Sequence, residues 1–416
     1  MSLLLPGYNA RLTKSHLFFN LLSADGNCAS RAKRRSSVSP TTTAAPVDLR
    51  PFALERYFAQ YEFTTRFLLG SSDPETMSLS DLLSLEAGSE RRLRELRLGY
   101  GDSRGSEELR HAIAALYAHA VPNRILVHSG AQEPIFTFMN AVLGSGDHII
   151  VQAPSYQSHY SIAEALGARV TRWDCDLARE GAPDVEQLDH LIVPATRAIV
   201  VTTPNNPTGY PFDRTQMEAV VQIARRHGLW LFSDEVYRGL EREAERLPAA
   251  CDLYERGVSL GALAKAYGLP GLRIGWIASQ DQSLLERIAT VKDYLTICNS
   301  APSELLAALA LRHSELLIER VRGITIENLD RLDAFFSRRS GRFEWTRPRA
   351  GTTAFPRLLG GSSEAFCLRL AQGAGILLVP SAAFDAGDER FRIGYGRASL
   401  PEALDALEDF LDGDRP

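Results

Sequence analysis

The chain has 416 residues, 45% of them apolar and 23% charged, with a formal net charge of −5. That suffices for a large core, and a division into two domains is expected, while the acidic balance gives no footing for nucleic acid or an anionic membrane. No apolar run approaches the ~20 residues of a membrane span, and Cys28, Cys175, Cys251, Cys298 and Cys367 lack the spacing of a zinc site or disulfide scaffold, which fits a reducing cytoplasm.

Residues 1–46 carry Arg11, Lys14, Arg31, Lys33, Arg34 and Arg35 against one acid, Asp25, and end in a Ser/Thr/Pro-rich run closing at Pro46. Such a segment buries too little apolar surface to fold alone. We expect a disordered basic tail, or a start codon set too early, with a transit peptide as the alternative. Residues 47–85 are expected to join a small domain, 86–300 to form a large one, and 301–416 to complete the small one.

From about Leu109 onward helical periods alternate with short apolar runs. Candidate strands are His148–Ala153, Arg169–Trp173, Ala198–Thr203, Leu229–Ser233, Val258–Ala262 and Ile274–Ser279. They are rich in Val and Ile with little alternation, as in a sheet covered on both faces. Between two of them Asp213 and Gln216 predict a capped helix start, Met217, Val220, Val221 and Ala224 its apolar stripe, and Gly228 its end. The alternation implies an α/β fold with a mainly parallel sheet flanked by helices. After about Pro302 long helices (Glu304–Arg338, with a break) precede a smaller mixed α/β segment.

Ligands of such sheets bind just past the strand ends, so the polar residues there are the informative ones. Ser129-Gly130-Ala131-Gln132-Glu133 precedes a predicted helix, whose free N–H groups and dipole suit a phosphate. Tyr156 follows the first candidate strand and can stack on a ring. Asn206 lies in the turn Pro204-Asn205-Asn206-Pro207-Thr208-Gly209, and Asp234-Glu235-Val236-Tyr237 follows another strand. An aspartate by itself reads as a helix cap, and a tyrosine as core.

Lys265 changes those readings. It ends an apolar run, with Gly268 and Gly271 in the turn before Arg273, eight residues on. A lysine whose amine is neutral can attack a carbonyl and form a Schiff base, and the Arg273 fork can hold a phosphate that glycines let the backbone approach. An aldehyde with a phosphate handle is pyridoxal 5′-phosphate. Asp234 then suits its pyridine nitrogen, while Tyr237 and Asn206 suit its 3′ oxygen.

In this order and spacing, over residues 50 to 412, the chain resembles the fold-type I pyridoxal-phosphate enzymes of the class I/II aminotransferase family. The wording of Lys265–Arg273, Asp293-Tyr294-Leu295-Thr296 and Thr353–Arg357 is similar to the capreomycidine synthase branch. The resemblance implies an aspartate-aminotransferase-like fold, with a large cofactor-binding domain and a smaller α/β domain. It also implies a homodimer acting on amino acids and keto acids. Lys265 becomes the Schiff-base lysine and proton shuttle, Asp234 the partner of the pyridinium, and Tyr237 and Asn206 the holders of the 3′ oxygen. Gly130, Ala131, Gln132 and Arg273 contact the phosphate, Tyr156 stacks on the ring, and Tyr100 reaches the phosphate of the neighbouring subunit. Arg392 clamps the substrate carboxylate beside Asn206.

One departure stands out. Ala262 and Ala264 occupy positions where the family often has small hydroxyl residues, so Ser259 or Gly261 is expected to compensate. Tyr294 and the segment Gly70-Ser71-Ser72 are the candidate specificity elements, and the run Glu241–Arg246, alternating in sign, reads as solvated surface. The leading functional reading is an aminotransferase, and the alternative a β- or γ-eliminating lyase or cyclase, because the cofactor does the same electronic work in both. A regulator lacking catalysis is disfavoured by Lys265, Asp234 and Arg392 occurring together.

Overall fold

A computed structural model describes residues 48–413, Glu243 excepted, so the predicted tail lies outside the described residues. Eight strands form the main sheet: β1 (Ile125–His128), β2 (His148–Ala153), β3 (Arg169–Asp176), β4 (Ala182–Pro183), β5 (Thr196–Thr202), β6 (Trp230–Asp234), β7 (Gly257–Ala262) and β8 (Gly275–Ser279). Their order is β1-β8-β7-β6-β5-β2-β3-β4. Pairing from β7 through β6, β5 and β2 to β3 is parallel, whereas β8 runs antiparallel to both neighbours.

Successive residues of the central strands enter opposite cores, as the two-residue pleat requires. Ile149, Val151, Val200 and Phe232 join one cluster, and Ile150, Ile199, Val201 and Leu231 join the other. Burial on both sides is why these strands read as continuous apolar runs. The predicted helix is Arg214–His227. Asp213 accepts from the Gln216 N–H at 2.8 Å, Gln216 Oε1 accepts from the Asp213 N–H at 3.0 Å, and Gly228 closes the helix at φ 64°. The short β1 escapes sequence reading because four residues carry little periodicity. Its register against β8 is set by contacts about 150 residues away in the chain.

Helices Ala301–Arg312 and Ser314–Arg338 are broken at His313. Beyond them the strand Phe391–Gly394 pairs with Thr353–Ala354 and Val379–Pro380. A separate apolar cluster joins Phe67 and Leu69 to Leu329, Phe336, Phe391 and Ile393, so an early segment packs with the last third of the chain. Gly394 allows this approach, since a Cβ there would overlap the Ser71 carbonyl.

The Glu241–Arg246 run departs from expectation. Glu241 is buried and accepts from the Gly239 N–H at 2.8 Å, while Arg242 donates to the Tyr395 hydroxyl at 2.7 Å and the Gly351 carbonyl at 2.9 Å. Alternating charge marks solvent only when no distant acceptor claims the side chains.

Gly394→Ala is expected to destabilise the protein by about 1–3 kcal/mol, the usual cost of overpacking. A lowered urea midpoint with unchanged slope is the signature, and an unaltered midpoint would contradict the close approach.

Candidate active site

Parallel strands deliver their C-terminal ends to one edge of the sheet. Because β8 runs the other way, the residues preceding it reach that same edge, and so do those following β1, which lies antiparallel to β8. The loops after β2, β5, β6 and β7 therefore converge with Arg273, just before β8, and with Gly130, just after β1. They surround a cavity of about 860 Å³.

Lys265, Asp234, Tyr237, Asn206, Arg273 and Arg392 line this cavity, as do Ala131, Gln132 and Tyr156. Gly130 sits directly beneath Arg273. Its φ is 72°, and a Cβ would lie 2.9 Å from the guanidinium carbon, so only glycine permits the approach. Arg273 itself adopts a left-handed conformation, φ 52°, which costs a non-glycine residue about 1–3 kcal/mol. Ala131 caps helix Gln132–Val142 without a side-chain bond, leaving the first-turn amides suited to an anion. The Gln132 side chain accepts from the Ser158 hydroxyl at 2.8 Å.

Lys265 donates to the Ser72 hydroxyl at 2.8 Å. Burial pulls its pKa down from 10.5 to about 8; Asp73 and Asp234 oppose that shift, while Arg392 and Arg273 reinforce it. Asp234 accepts from the Val236 N–H at 3.2 Å, and its other oxygen lies 3.2 Å from His159 Nε2 without a well-aligned hydrogen bond. His159 Nδ1 is in turn 2.8 Å from the Ser155 hydroxyl. The Tyr237 hydroxyl is buried and approaches Ser72 without normal hydrogen-bond geometry, and Thr202 Oγ1 is likewise unpartnered. Burial raises the Tyr237 pKa, so its hydroxyl keeps its proton and can donate to an incoming oxygen. Two orphaned hydroxyls in a cavity mark where a ligand oxygen belongs.

Arg392 is 1% exposed and has no carboxylate within bonding distance among the described residues. Its Nε and Nη2 donate to the Gly70 carbonyl at 3.0 and 2.8 Å, and its Nη1 to Asn206 Oδ1 at 3.1 Å. The Phe58 and Phe384 rings lie 5.9 and 5.2 Å from its guanidinium. Tyr156 packs against Phe52, with ring centroids 5.0 Å apart.

Several expectations need correction. Ser259 cannot stand in for the hydroxyl absent at Ala262, because it donates to Glu235 at 2.9 Å on the opposite face of β7. Gly261 is covered by the Trp276 indole. The nearby hydroxyl is instead Ser72, from the candidate specificity segment. Tyr294, expected to shape specificity, is 88% exposed and does not line the cavity of its own chain. Sequence reading named Ser72 only as part of a specificity segment, and it missed His159, Glu55 and Glu62. The last two had a signal: with Phe58 they fall at helical spacing along Ala53–Tyr61 and its C-cap.

The lowered Lys265 pKa predicts a pH dependence. The amine is charged below about pH 8 and neutral above it, and only the neutral form attacks an aldehyde. Apoprotein should therefore combine with pyridoxal 5′-phosphate faster as pH rises, levelling above about 8. A rate still climbing tenfold per unit near the ordinary lysine pKa of about 10.4 would contradict the buried environment.

The sequence pattern of the aminotransferase class I and II family matches residues 65–407. Capreomycidine synthase from Streptomyces vinaceus is 31% identical over 376 residues, covering 88% of this chain and 95% of that protein. A pyridoxal-phosphate-dependent aminotransferase from Streptococcus suis 89-1591 superposes with a TM-score of 0.84 at 32% identity, covering 88% of this chain and 99% of the other. The pyridoxal-phosphate-dependent cyclase OrfR superposes with a TM-score of 0.82 at 29% identity, covering 90% and 100%. The chain belongs to the class I and II aminotransferase family, and its cofactor is pyridoxal 5′-phosphate.

Proposed function

We propose that the protein transfers the amino group of an amino acid to a keto acid, using Lys265 as the proton carrier. The observation that carries this reading is the meeting, in one cavity, of a lysine with a lowered pKa, a buried carboxylate and a buried arginine that has no carboxylate partner among the described residues. Bound pyridoxal phosphate supplies an aldehyde that takes up the amino group and a ring that accepts the electron pair left at Cα.

The residues divide the remaining work. Arg273, Gly130 and the amides from Ala131 and Gln132 hold the phosphate. Asp234, backed by His159, keeps a positive charge on the ring nitrogen. Tyr237 and Asn206 donate to the ring oxygen, and Tyr156 covers the ring. Arg392 fixes the substrate carboxylate, which orients the Cα–H bond. Lys265 Nζ, oriented by Ser72, would take the proton from Cα and return it two atoms away, on the far side of the transferred nitrogen.

A lyase or cyclase is the second reading. The likeness to capreomycidine synthase and to OrfR favours it, and it uses the same residues up to proton removal. Loaded enzyme mixed with single amino acids separates the two. Stoichiometric conversion to the aminated cofactor with release of a 2-oxo acid supports transamination; return of the starting spectrum with a dehydrated or cyclised product overturns it. In either case Arg392→Ala should lower kcat/KM by the equivalent of about 2–5 kcal/mol, the cost of losing a desolvated charge contact, while the cofactor absorbance persists. Equal loss of cofactor would contradict its assignment to substrate.

We also propose a homodimer in the cytoplasm, with residues 47–85 and 301–416 acting together as the small domain and 86–300 as the large one. Leu98, Tyr100, Tyr294, Leu295 and Ile297 expose apolar surface, which supports a covered face. Free Cys175, Cys251, Cys298 and Cys367 support a reducing compartment. A two-fold dimer would present each Tyr100 to the other subunit's phosphate. Inactive Tyr100 and Lys265 variants, mixed under verified subunit exchange, should then recover activity, because one hybrid site holds both residues intact. A monomer in sedimentation, or no recovery after exchange, counts against the shared site.

A further inference from the structure

A buried carboxylate stands beside the proposed phosphate site and has no part in the proposed function. Glu133 lies in the first turn of helix Gln132–Val142 and is 9% exposed. Its Oε2 accepts from the Ser129 N–H at 2.6 Å, and its Oε1 accepts from the Thr296 hydroxyl at 2.7 Å, 163 residues along the chain. An acid in a first turn ordinarily serves its own helix, through the dipole or the N-cap amide. The amide held here belongs to the residue two before the N-cap, Ala131, and the second bond leaves the helix altogether. Helix stability explains neither bond. Charge does not explain them either, since a carboxylate so near an anion site repels what the site is built to hold.

The far end of the connection is strained. Thr296 belongs to the loop Tyr294–Cys298, which follows helix Gln282–Asp293. Ile297 in that loop has φ 62°, a left-handed conformation that β-branched residues avoid. Such outliers persist only where their surroundings dictate them. Lys292, 1% exposed, donates to the Ile297 carbonyl at 3.1 Å, and the Cys298 N–H donates to the Thr296 carbonyl at 2.7 Å. With the backbone so fixed, the Thr296 hydroxyl reaches Glu133 while the Tyr294 and Ile297 side chains stay in solvent. The helices on either side, Gln132–Val142 and Gln282–Asp293, pack on each other. At the near end, Ser129 leads directly into Gly130, over which Arg273 lies. The connection thus runs from a strained loop, through Thr296 and Glu133, to the turn beneath Arg273.

We propose that Glu133 is a positioning residue, tying the loop Tyr294–Cys298 to the turn Ser129–Ala131 and holding that turn in the shape that grips the cofactor phosphate. This rests on the assignment of Gly130, Ala131, Gln132 and Arg273 to the phosphate.

The test compares pyridoxal 5′-phosphate with pyridoxal, which lacks the phosphate. Dissociation constants for both are measured by absorbance on full-length enzyme freed of cofactor and reloaded. The preference for the phosphorylated ligand reports the grip on the phosphate, because a general loosening of the site weakens both ligands equally. Thr296 is exposed, so Thr296→Val is a nearly isosteric surface change that cuts only the loop's bond. It should lower the preference at least about threefold, the scale of one hydrogen bond. Glu133→Ala cuts both bonds and should lower it further, although loss of a negative charge would by itself raise it. Thr296→Ser should keep the wild-type preference, and Glu133→Gln, whose amide can still bond both neighbours, should regain most of what Glu133→Ala loses. A preference unchanged in Thr296→Val, raised in Glu133→Ala, or lost only together with the wild-type oligomeric state in sedimentation overturns the inference and leaves the proposed function intact. Wild-type enzyme that binds the two ligands equally would instead remove the phosphate from this turn, and the inference with it.

Discussion

A charged guanidinium buried without a carboxylate is a costly thing to keep, and the arrangement around Arg392 shows how the cost is contained. Taking an ion out of water costs several kcal/mol unless its donors are satisfied. Here the satisfaction comes from the carbonyl of Gly70 and the amide oxygen of Asn206. Those acceptors are dipoles, which neutralise no charge. The three residues come from the early segment, the loop after β5, and the strand Phe391–Gly394, so solvating one side chain draws three remote parts of the chain together. What the dipoles leave uncompensated is a full positive charge, available to a carboxylate that arrives in a site already assembled for it.

The other charged groups follow the same logic of proximity without pairing. Lys265 shares its hydroxyl neighbour, Ser72, with the approach of Tyr237, and its amine is depressed chiefly by burial. Arg273 is brought over the backbone of Gly130 at the expense of a left-handed conformation. Both depend on the antiparallel setting of β8, which returns the turn after Lys265 to the ligand-bearing edge of the sheet.

Much of this was legible in the sequence, for physical reasons that differ by element. The central strands stood out because both of their faces are apolar, and Asp234, Asn206, Tyr156 and Lys265 stood out as polar punctuation just beyond or near such runs. The helix from Arg214 was marked by its own capping residues. Ser259 misled because nearness in sequence ignores the pleat: it faces away from Leu260 and Ala262, toward Glu235. Ser72 had no strand to announce it, since its position follows from packing against the far end of the chain. His159 does lie one helical turn beyond Tyr156, but its role behind Asp234 depends on how β2 and β6 are spaced across the sheet, with β5 between them.

The hydrogen bonds between Gly70 and Arg392 join residues 322 positions apart. During synthesis the helix bearing Phe58 and the segment bearing Ser72 leave the ribosome long before the strand that anchors them. Parallel sheets and other non-local pairings already form slowly, and large chains tend to fold from the N-terminal side as they are made. The sheet edge with Asp234 and Lys265 can therefore form on a nascent chain before the carboxylate clamp exists. A chain truncated before Arg392 would retain that edge without the clamp, so the site can grip its substrate only once the strand Phe391–Gly394 has been made.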